Sequence, residues 1–486
     1  MKKQRLVLLS LASTLLVSAA QAVDLIAIGT ISGTYEDLAT ETAFPLENGV
    51  AGNRLGGIGS GLAYAGGTTF LALPDRGPNA NPYNALVDDT VSYIARFQTL
   101  NLSLAPTPDP VTKLPFTLTP MLTRTTLLSS RTPLVYGSGA GLGNQIDGVT
   151  PIGSGAPLLN AIDHTHYFTG RSDNFDTKQP STNPKNARLD PEGIRVSNDG
   201  HSVYISDEYG PYVHEFDRVT GERVRSFTLP GNLGITSLSA QKDVEIAGNT
   251  VGRVTNKGME GLALTPDGKM LVGIMQANLE QDKKKSLRIV TIDLKSGKTH
   301  EYAYKLTDGS GVSEIVAVNN HQFLVDERDG SGLGDTPLLT DVASPATVKE
   351  LFLIDLNGAT DVTAIAGPNA DLSAYAVSKT LFLDVVGKLT AAGIDPYLIP
   401  SKIEGLAFGQ DVVINGATKH TLYVANDNDF LSVVADPFKS PGDASRGMIA
   451  NPNELYVFAF ADNELPGFVP QNFKHSRDDR SGDCRN

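Results

Sequence analysis

Leu189-Asp190-Pro191-Glu192-Gly193-Ile194-Arg195-Val196, then Ser197-Asn198-Asp199-Gly200, then Ser202-Val203-Tyr204-Ile205-Ser206-Asp207-Glu208 is the stretch on which the fold turns. Two short runs rich in branched and aromatic residues flank Asn198-Asp199-Gly200, a tight-turn signal because Gly accepts positive φ. The unit therefore reads as a hairpin with a Glu at its start and acids at its end. It recurs as Gly258-Met259-Glu260-Gly261-Leu262-Ala263-Leu264 with a strand ending at Gln276. It recurs again as Lys402-Ile403-Glu404-Gly405-Leu406-Ala407-Phe408, ending in Asn426-Asp427-Asn428-Asp429. A looser copy runs from Val312-Ser313-Glu314-Ile315 to Val325-Asp326-Glu327-Arg328. One without the Glu runs from Gly57-Ile58-Gly59-Ser60-Gly61 to Leu73-Pro74-Asp75-Arg76.

Further strand-like runs follow the copies: 212–216 with 223–229, 288–293 with 300–304, and 350–354 with 361–366. Each such pair is split by a Gly-containing turn, so the repeat is about four antiparallel strands. Radial repetition of four-stranded sheets is the plan of a β-propeller. The expected fold is all-β, a propeller of five or six four-stranded blades with long loop insertions. A sixth, degenerate blade has room at 160–169 or 381–386. The last copy lacks an outermost strand, and Val23-Asp24-Leu25-Ile26-Ala27-Ile28 is a strand in need of a partner. Pairing the two would close the ring.

The chain opens with the positive Met1-Lys2-Lys3-Gln4-Arg5, an apolar run to about Val17, and Ala20-Gln21-Ala22. This is the layout of a secretory signal with an A-x-A cleavage site. Residues 1–22 are expected to be a signal peptide cut after Ala22. The alternative, a retained anchor helix, suffers from an apolar run too short to span a bilayer comfortably. The product would be exported, periplasmic or secreted, with no membrane span in the mature chain. Residues 472–486 read as a polar tail. Cys484 is the sole cysteine, so no internal disulfide and no cysteine-based zinc site can form. The net charge of −14 disfavours nucleic acid as a partner and suits a protein that binds cations.

In a hairpin the starting Glu and the terminal acids share one sheet edge, and in a propeller the inner strands line the central channel. Carboxylates from several blades then meet at one mouth. Close carboxylates repel unless protonated or neutralised, and all-oxygen clusters suit Ca²⁺. The candidate metal ligands are Asp75, Glu192, Asp207, Glu208, Glu260, Asp326, Glu404 and Asp427. The candidate catalytic residues are Glu192, Glu260, Asp207 and Glu327, with Arg76 and Arg328 as clamps for an anionic oxygen. The opposite reading is that each Glu only ties blade junctions together. His164 and His166 are the one close histidine pair, and a satisfied loop pair is the simpler reading. Lys283-Lys284-Lys285 reads as a solvated turn. Gly57-Ile58-Gly59-Ser60-Gly61 is not followed by the helix that a nucleophile elbow requires.

Asp190-Pro191-Glu192-Gly193-Ile194 with Ser206-Asp207-Glu208-Tyr209-Gly210-Pro211-Tyr212 resembles the hallmark of the esterase-like activity of phytase family. So do Asn256-Lys257-Gly258-Met259-Glu260-Gly261, Val325-Asp326-Glu327-Arg328-Asp329, Ile403-Glu404-Gly405-Leu406-Ala407 and Phe168-Thr169-Gly170-Arg171-Ser172-Asp173-Asn174-Phe175-Asp176. The resemblance runs from about Leu55 to Phe460. It implies a phytase-like propeller domain over 23–471, hydrolysis of a phosphoester or another ester, and calcium by analogy with propeller phytases. The expected partner is a small anionic or ester substrate. A Ca²⁺-dependent lactonase or carboxylesterase, and a non-enzymatic propeller with structural calcium, stay open as alternatives.

Overall fold

Short alternating strands separated by tight turns give four-stranded antiparallel blades five times over in the computed structural model, which describes residues 23–365 and 371–473. The expected signal segment and residues 474–486 of the expected tail lie outside these residues. The first blade holds Gly61–Tyr64, Thr69–Leu73, Arg96–Ala105 and Thr117–Leu127, inner strand first. The second holds Pro191–Val196, Ser202–Asp207, Tyr212–Asp217 and Arg223–Thr228. The third holds Met259–Leu264, Met270–Met275, Ser286–Asp293 and Thr299–Lys305. The fourth holds Gly311–Ala317, Gln322–Arg328, Lys349–Asp355 and Lys379–Asp384. The fifth holds Ile403–Phe408, Ala417–Asn426, Asn453–Phe460 and, as its outermost strand, Asp24–Ile31 from the other end of the chain. The N-terminal strand closes the ring as its unpartnered sequence requires.

One open alternative is settled, and one expectation needs correction. No sixth blade exists among the described residues. Residues 381–386 fall largely in the outermost strand of the fourth blade, and 160–169 form the short helix Leu159–Asp163 and a two-residue pairing of His166–Tyr167 with Ser129–Ser130. The fourth blade's outer strand is not 361–366 but Lys379–Asp384, reached across a long insertion.

The five inner strands touch in succession, first to second and onward to fifth and back to first. One hydrophobic cluster fills each gap between neighbouring blades. Leu71 and Phe97 meet Ile194 and Val203; Tyr204 and Val213 meet Leu262 and Leu271; Ile274 and Ile289 meet Ile315 and Val325. Leu324 and Leu351 meet Ile403 and Leu406, and Ala407 and Val457 meet Leu62 and Phe70. Each buried Leu, Ile, Val or Phe among them contributes about 1.5–3 kcal/mol. With no disulfide possible, these five seams hold the ring.

Near the axis the strands are pressed together. A Cβ on Gly261 would lie 2.6 Å from the Ile315 nitrogen and 2.8 Å from the Glu314 Cα. This close backbone approach explains the Gly of the Glu-Gly repeat. Arg195 fills the axis lower down. It reaches Glu314 at 3.0 Å and donates to the carbonyls of Leu62 (2.8 Å) and Ile315 (2.9 Å). The last described segment crosses the underside of the ring. Phe468 packs on Phe408 at 4.5 Å, the Val469 N–H donates to Val318, and Gln471 Nε2 donates to Val196. No helix among the described residues is long and apolar enough to cross a membrane.

Candidate active site

Each Glu-Gly sits at a local break in strand register. The slip falls between Pro191 and Ile194, between Met259 and Gly261, and between Ile403 and Gly405. Bulges of this kind re-aim a side chain beside functional sites. Here the bulged residues Glu192, Glu260 and Glu404 are turned to the channel mouth, where all three line one cavity. The following Gly lies opposite the second strand: Gly261 opposite Ile274, Gly405 opposite Ala425, and Gly61 of the first blade opposite Leu73. Two residues beyond those partners, the second strand delivers Asp75, Gln276 and Asp427. The equivalent residues are Glu208 in the second blade and Arg328 in the fourth. The backbone confirms the equivalence. The N–H of Glu208, Gln276 and Asp427 donates to Asp190, Gly258 and Lys402 at 3.0, 2.9 and 3.0 Å.

The fourth blade is shifted by one residue from the sequence alignment. Its slip falls between Val312 and Glu314, so Ser313 stands where the other blades carry Glu, and Glu314 stands at the Gly position opposite Asp326. Glu314 is turned to the axis, accepting from the Leu262 and Ile315 N–H groups at 3.0 and 2.9 Å.

This register sorts the candidates. Asp75, Arg76, Glu192, Glu208, Glu260, Arg328 and Glu404 line one cavity of about 410 Å³, together with Asp190, Asn256, Lys257, Gln276, Lys402 and Asp429. Asp207 points away from it. Its carboxylate accepts the N–H groups of Asp190, Tyr209 and Gly210, each at 3.0 Å, and fixes the turn out of the blade. Glu327 alternates to the other face of its strand, where it accepts from the Tyr304 hydroxyl at 2.6 Å and pairs with Lys379. Asp326 is fully buried with neither carboxylate oxygen partnered by a described residue. Asp427 does not line the cavity but pairs at 2.5 Å with Lys402, which does. His164 and His166 do not line the cavity, and Lys283 makes an exposed ion pair with Asp371.

Among the described residues, two acidic groups offer oxygens within 4.8 Å of one another: Asp190, Glu192 and Glu208, and Asp75, Asp427 and Asp429. In the first, Arg76 Nη1 lies 3.1 Å from Asp190 and also meets Asn256. Glu208 accepts the Gly258 N–H at 2.8 Å, and the Glu192 carboxylate has no hydrogen-bond partner among the described residues. Gln276 holds Glu260 Oε1 at 2.8 Å, while Glu260 Oε2 is buried and unpartnered. Arg328 Nε donates to Ser313 and its Nη2 pairs with Glu404. Sequence reading missed Asp190, Asn256 and Lys402 as mouth residues. Asp190 and Lys402 share a repeat position two residues before the Glu, a position whose side chain changes from blade to blade.

Electrostatics follow from burial and crowding. Burial, then the charges of Glu260, Asp190, Glu208 and Glu404, push Glu192 well above the usual carboxylate range. Burial, Glu208 and Glu404 do the same to Glu260. Glu208 is pushed up to about 7 by burial and the charge of Asp190, against a hydrogen bond with Glu260 and the charges of Arg76 and Arg253. Burial lifts Asp75 well above its usual range, Asp427 adds to this, and Lys402 opposes it. The cavity lining carries seven carboxylates against four cationic side chains. Such a mouth keeps protons or takes up a cation. Its donors are oxygens, and the unpartnered Glu192 and Glu260 Oε2 are the atoms a hard divalent cation would satisfy.

Residues 53–430 match the phytase-like family described as esterase-like activity of phytase. The chain belongs to this family. An "Uncharacterized secreted protein" of Arthroderma benhamiae is 27% identical over 315 residues, covering 57% of this chain and 58% of that protein, so the match spans less than two thirds of the relative's length. The Pseudomonas aeruginosa periplasmic gluconolactonase shares 10% identity and a TM-score of 0.32, over 90% of this chain and 99% of that one. A putative 6-phosphogluconolactonase from Bacteroides uniformis shares 11% identity and a TM-score of 0.28, over 82% and 88%. Both structural likenesses are distant.

Proposed function

We propose that this family member is an exported hydrolase of a phosphoester or another ester, acting at the channel mouth with a divalent cation, Ca²⁺ by the chemistry of its ligands. The observation that carries this reading is the convergence of Asp190, Glu192 and Glu208 beside the unpartnered Glu260 Oε2, with Arg76 and Arg328 in the same cavity. Asp190, Glu192 and Glu208 would hold the cation. When bound, it supplies polarisation of a substrate oxygen and a more acidic water. A cation beside it would relieve the crowding that keeps Glu260 protonated, and Glu260, steadied by Gln276, would then offer Oε2 to accept a proton. Arg76 uses Nη1, and Arg328 uses Nε and Nη2, on protein partners. Their other N–H groups have no protein acceptor among the described residues and suit an anionic oxygen. The excess of carboxylates repels an anion until the cation is in place, so an anionic substrate binds second. Export is supported by the charged, apolar and A-x-A layout of residues 1–22 and by the secreted relative.

A neutral ester or lactone is the second reading, favoured because both guanidiniums already face carboxylates. The deciding experiment is metal analysis of the mature protein with a turnover screen over phosphate monoesters, carboxylic esters and lactones, with Ca²⁺ and with chelator. Calcium-dependent turnover of one class is expected. Absence of turnover on all three would leave a ligand-binding propeller.

A further inference from the structure

The same repeat positions carry different charges in different blades. In the second blade they are Asp190, Glu192 and Glu208, three carboxylates without an amine. In the fifth they are Lys402, Glu404 and Asp427. The equivalence does not rest on alignment alone, because the Glu208 N–H to Asp190 bond and the Asp427 N–H to Lys402 bond are the same link, each 3.0 Å. Lys402 Nζ lies 2.5 Å from Asp427 and 2.7 Å from Asp429. Asp75 offers a third carboxylate oxygen within 4.8 Å of theirs. The lysine side chain also borders the mouth cavity. The fifth-blade cluster thus already holds a positive charge. The three second-blade positions include no cation; Arg76 of the first blade pairs with Asp190 at 3.1 Å, and Glu192 has no hydrogen-bond or ion-pair partner among the described residues.

We propose that Lys402 is a tethered cation standing in for a second divalent ion, so that the channel mouth takes up one such ion, at the second blade, and the Asp75, Asp427 and Asp429 cluster takes up none. An ammonium at 2.5–2.7 Å claims the oxygens that a metal would need, and it repels a second positive charge across a short, poorly screened distance. The cluster is the equivalent of a cation site, filled from within the chain. The inference rests on the cation reading of the second-blade cluster, and the test separates the two.

Calorimetric titration of metal-stripped protein with Ca²⁺ reads the stoichiometry directly. Wild type is expected to bind one ion per chain at the mouth. Lys402→Met keeps the aliphatic stem, removes the ammonium and is expected to bind two. Adding Glu192→Gln to Lys402→Met should return the count to one. Two mouth ions in wild type, or an unchanged count in folded Lys402→Met, would overturn the proposal. No ion in wild type but one in Lys402→Met would remove the second-blade reading and leave the role of Lys402 standing. No ion in either removes both. Should Lys402→Met fail to fold by circular dichroism, Asp427→Asn in wild type takes its place. It is expected to keep the single ion, and loss of that ion overturns the proposal.

Discussion

Glu192 and Glu327 are both buried glutamates of the repeat, yet neutralising them should do different things. Glu192→Gln removes a charge that faces the cavity and has no protein partner. Calcium affinity should fall at least 10-fold, and turnover with it, while the melting temperature of the calcium-free protein holds or rises as crowding is relieved. Glu327→Gln strands Lys379 and weakens a pair sealed between blades, so it should lower the melting temperature by several degrees and leave calcium affinity unchanged. Calorimetry and thermal melts on the two variants check both statements, and a loss of calcium binding in Glu327→Gln would contradict the placement. The sequence shows which blades carry acids but not which way each one faces. In Asp207-Glu208 and Asp326-Glu327-Arg328 the side chains alternate, and a single bulge decides which reaches the mouth. The fourth blade hides its bulge because Ser313-Glu314 reads like the other Glu positions and is offset by one.

At the scale of elements, the mouth depends on a loop held by one buried acid. Glu245 on the short helix Lys242–Ala247 bridges Arg253 at 2.8 Å and Arg188 at 3.3 Å, and accepts from Thr255 at 3.0 Å. The loop it anchors delivers Asn256 and Lys257 to the cavity. Burial alone would raise its pKa, but Arg253 and Arg188 win and hold it at about 2, against 4.5 for an ordinary glutamate. A depressed folded-state pKa gives stability that is present above about pH 4.5 and lost as pH falls towards 2. The shift corresponds to roughly 3 kcal/mol. Urea unfolding at pH 6, 4 and 3 should show wild type losing this contribution, while Glu245→Gln starts lower and falls less steeply. On the underside, stopping the chain after Gly467 would uncover Phe408, Leu406 and Tyr64. A lower melting temperature and increased binding of a hydrophobic dye are expected; an unchanged melt would show that the ring holds without its strap. Neither element was legible in advance. The helix has six residues in a Gly- and Ser-rich loop, and the strap has no periodicity of its own. The outer strand Lys379–Asp384 was equally hidden, because a long insertion separates it from its partner.

For the whole molecule, the proposed cation would add to stability. Calcium at a hundred times its dissociation constant adds about 2.7 kcal/mol. Melts with calcium and with chelator should differ by several degrees, and coincident melts would count against a bound ion. The propeller was legible because hairpin chemistry, the Glu-Gly repeat and an unpaired first strand all point one way. Blade number was settled by the ring, since only packing shows that 381–384 belong to the fourth sheet. The closing strand has a consequence in time. Asp24–Ile31 pairs along its length with Asn453–Phe460, so the earliest described stretch cannot find its partner until nearly all the rest has been made. No N-terminal fragment can acquire the fifth blade, and contacts this distant in sequence form slowly. A chain emerging from a ribosome therefore stays an open arc, with one apolar seam unsealed, until its last strand arrives.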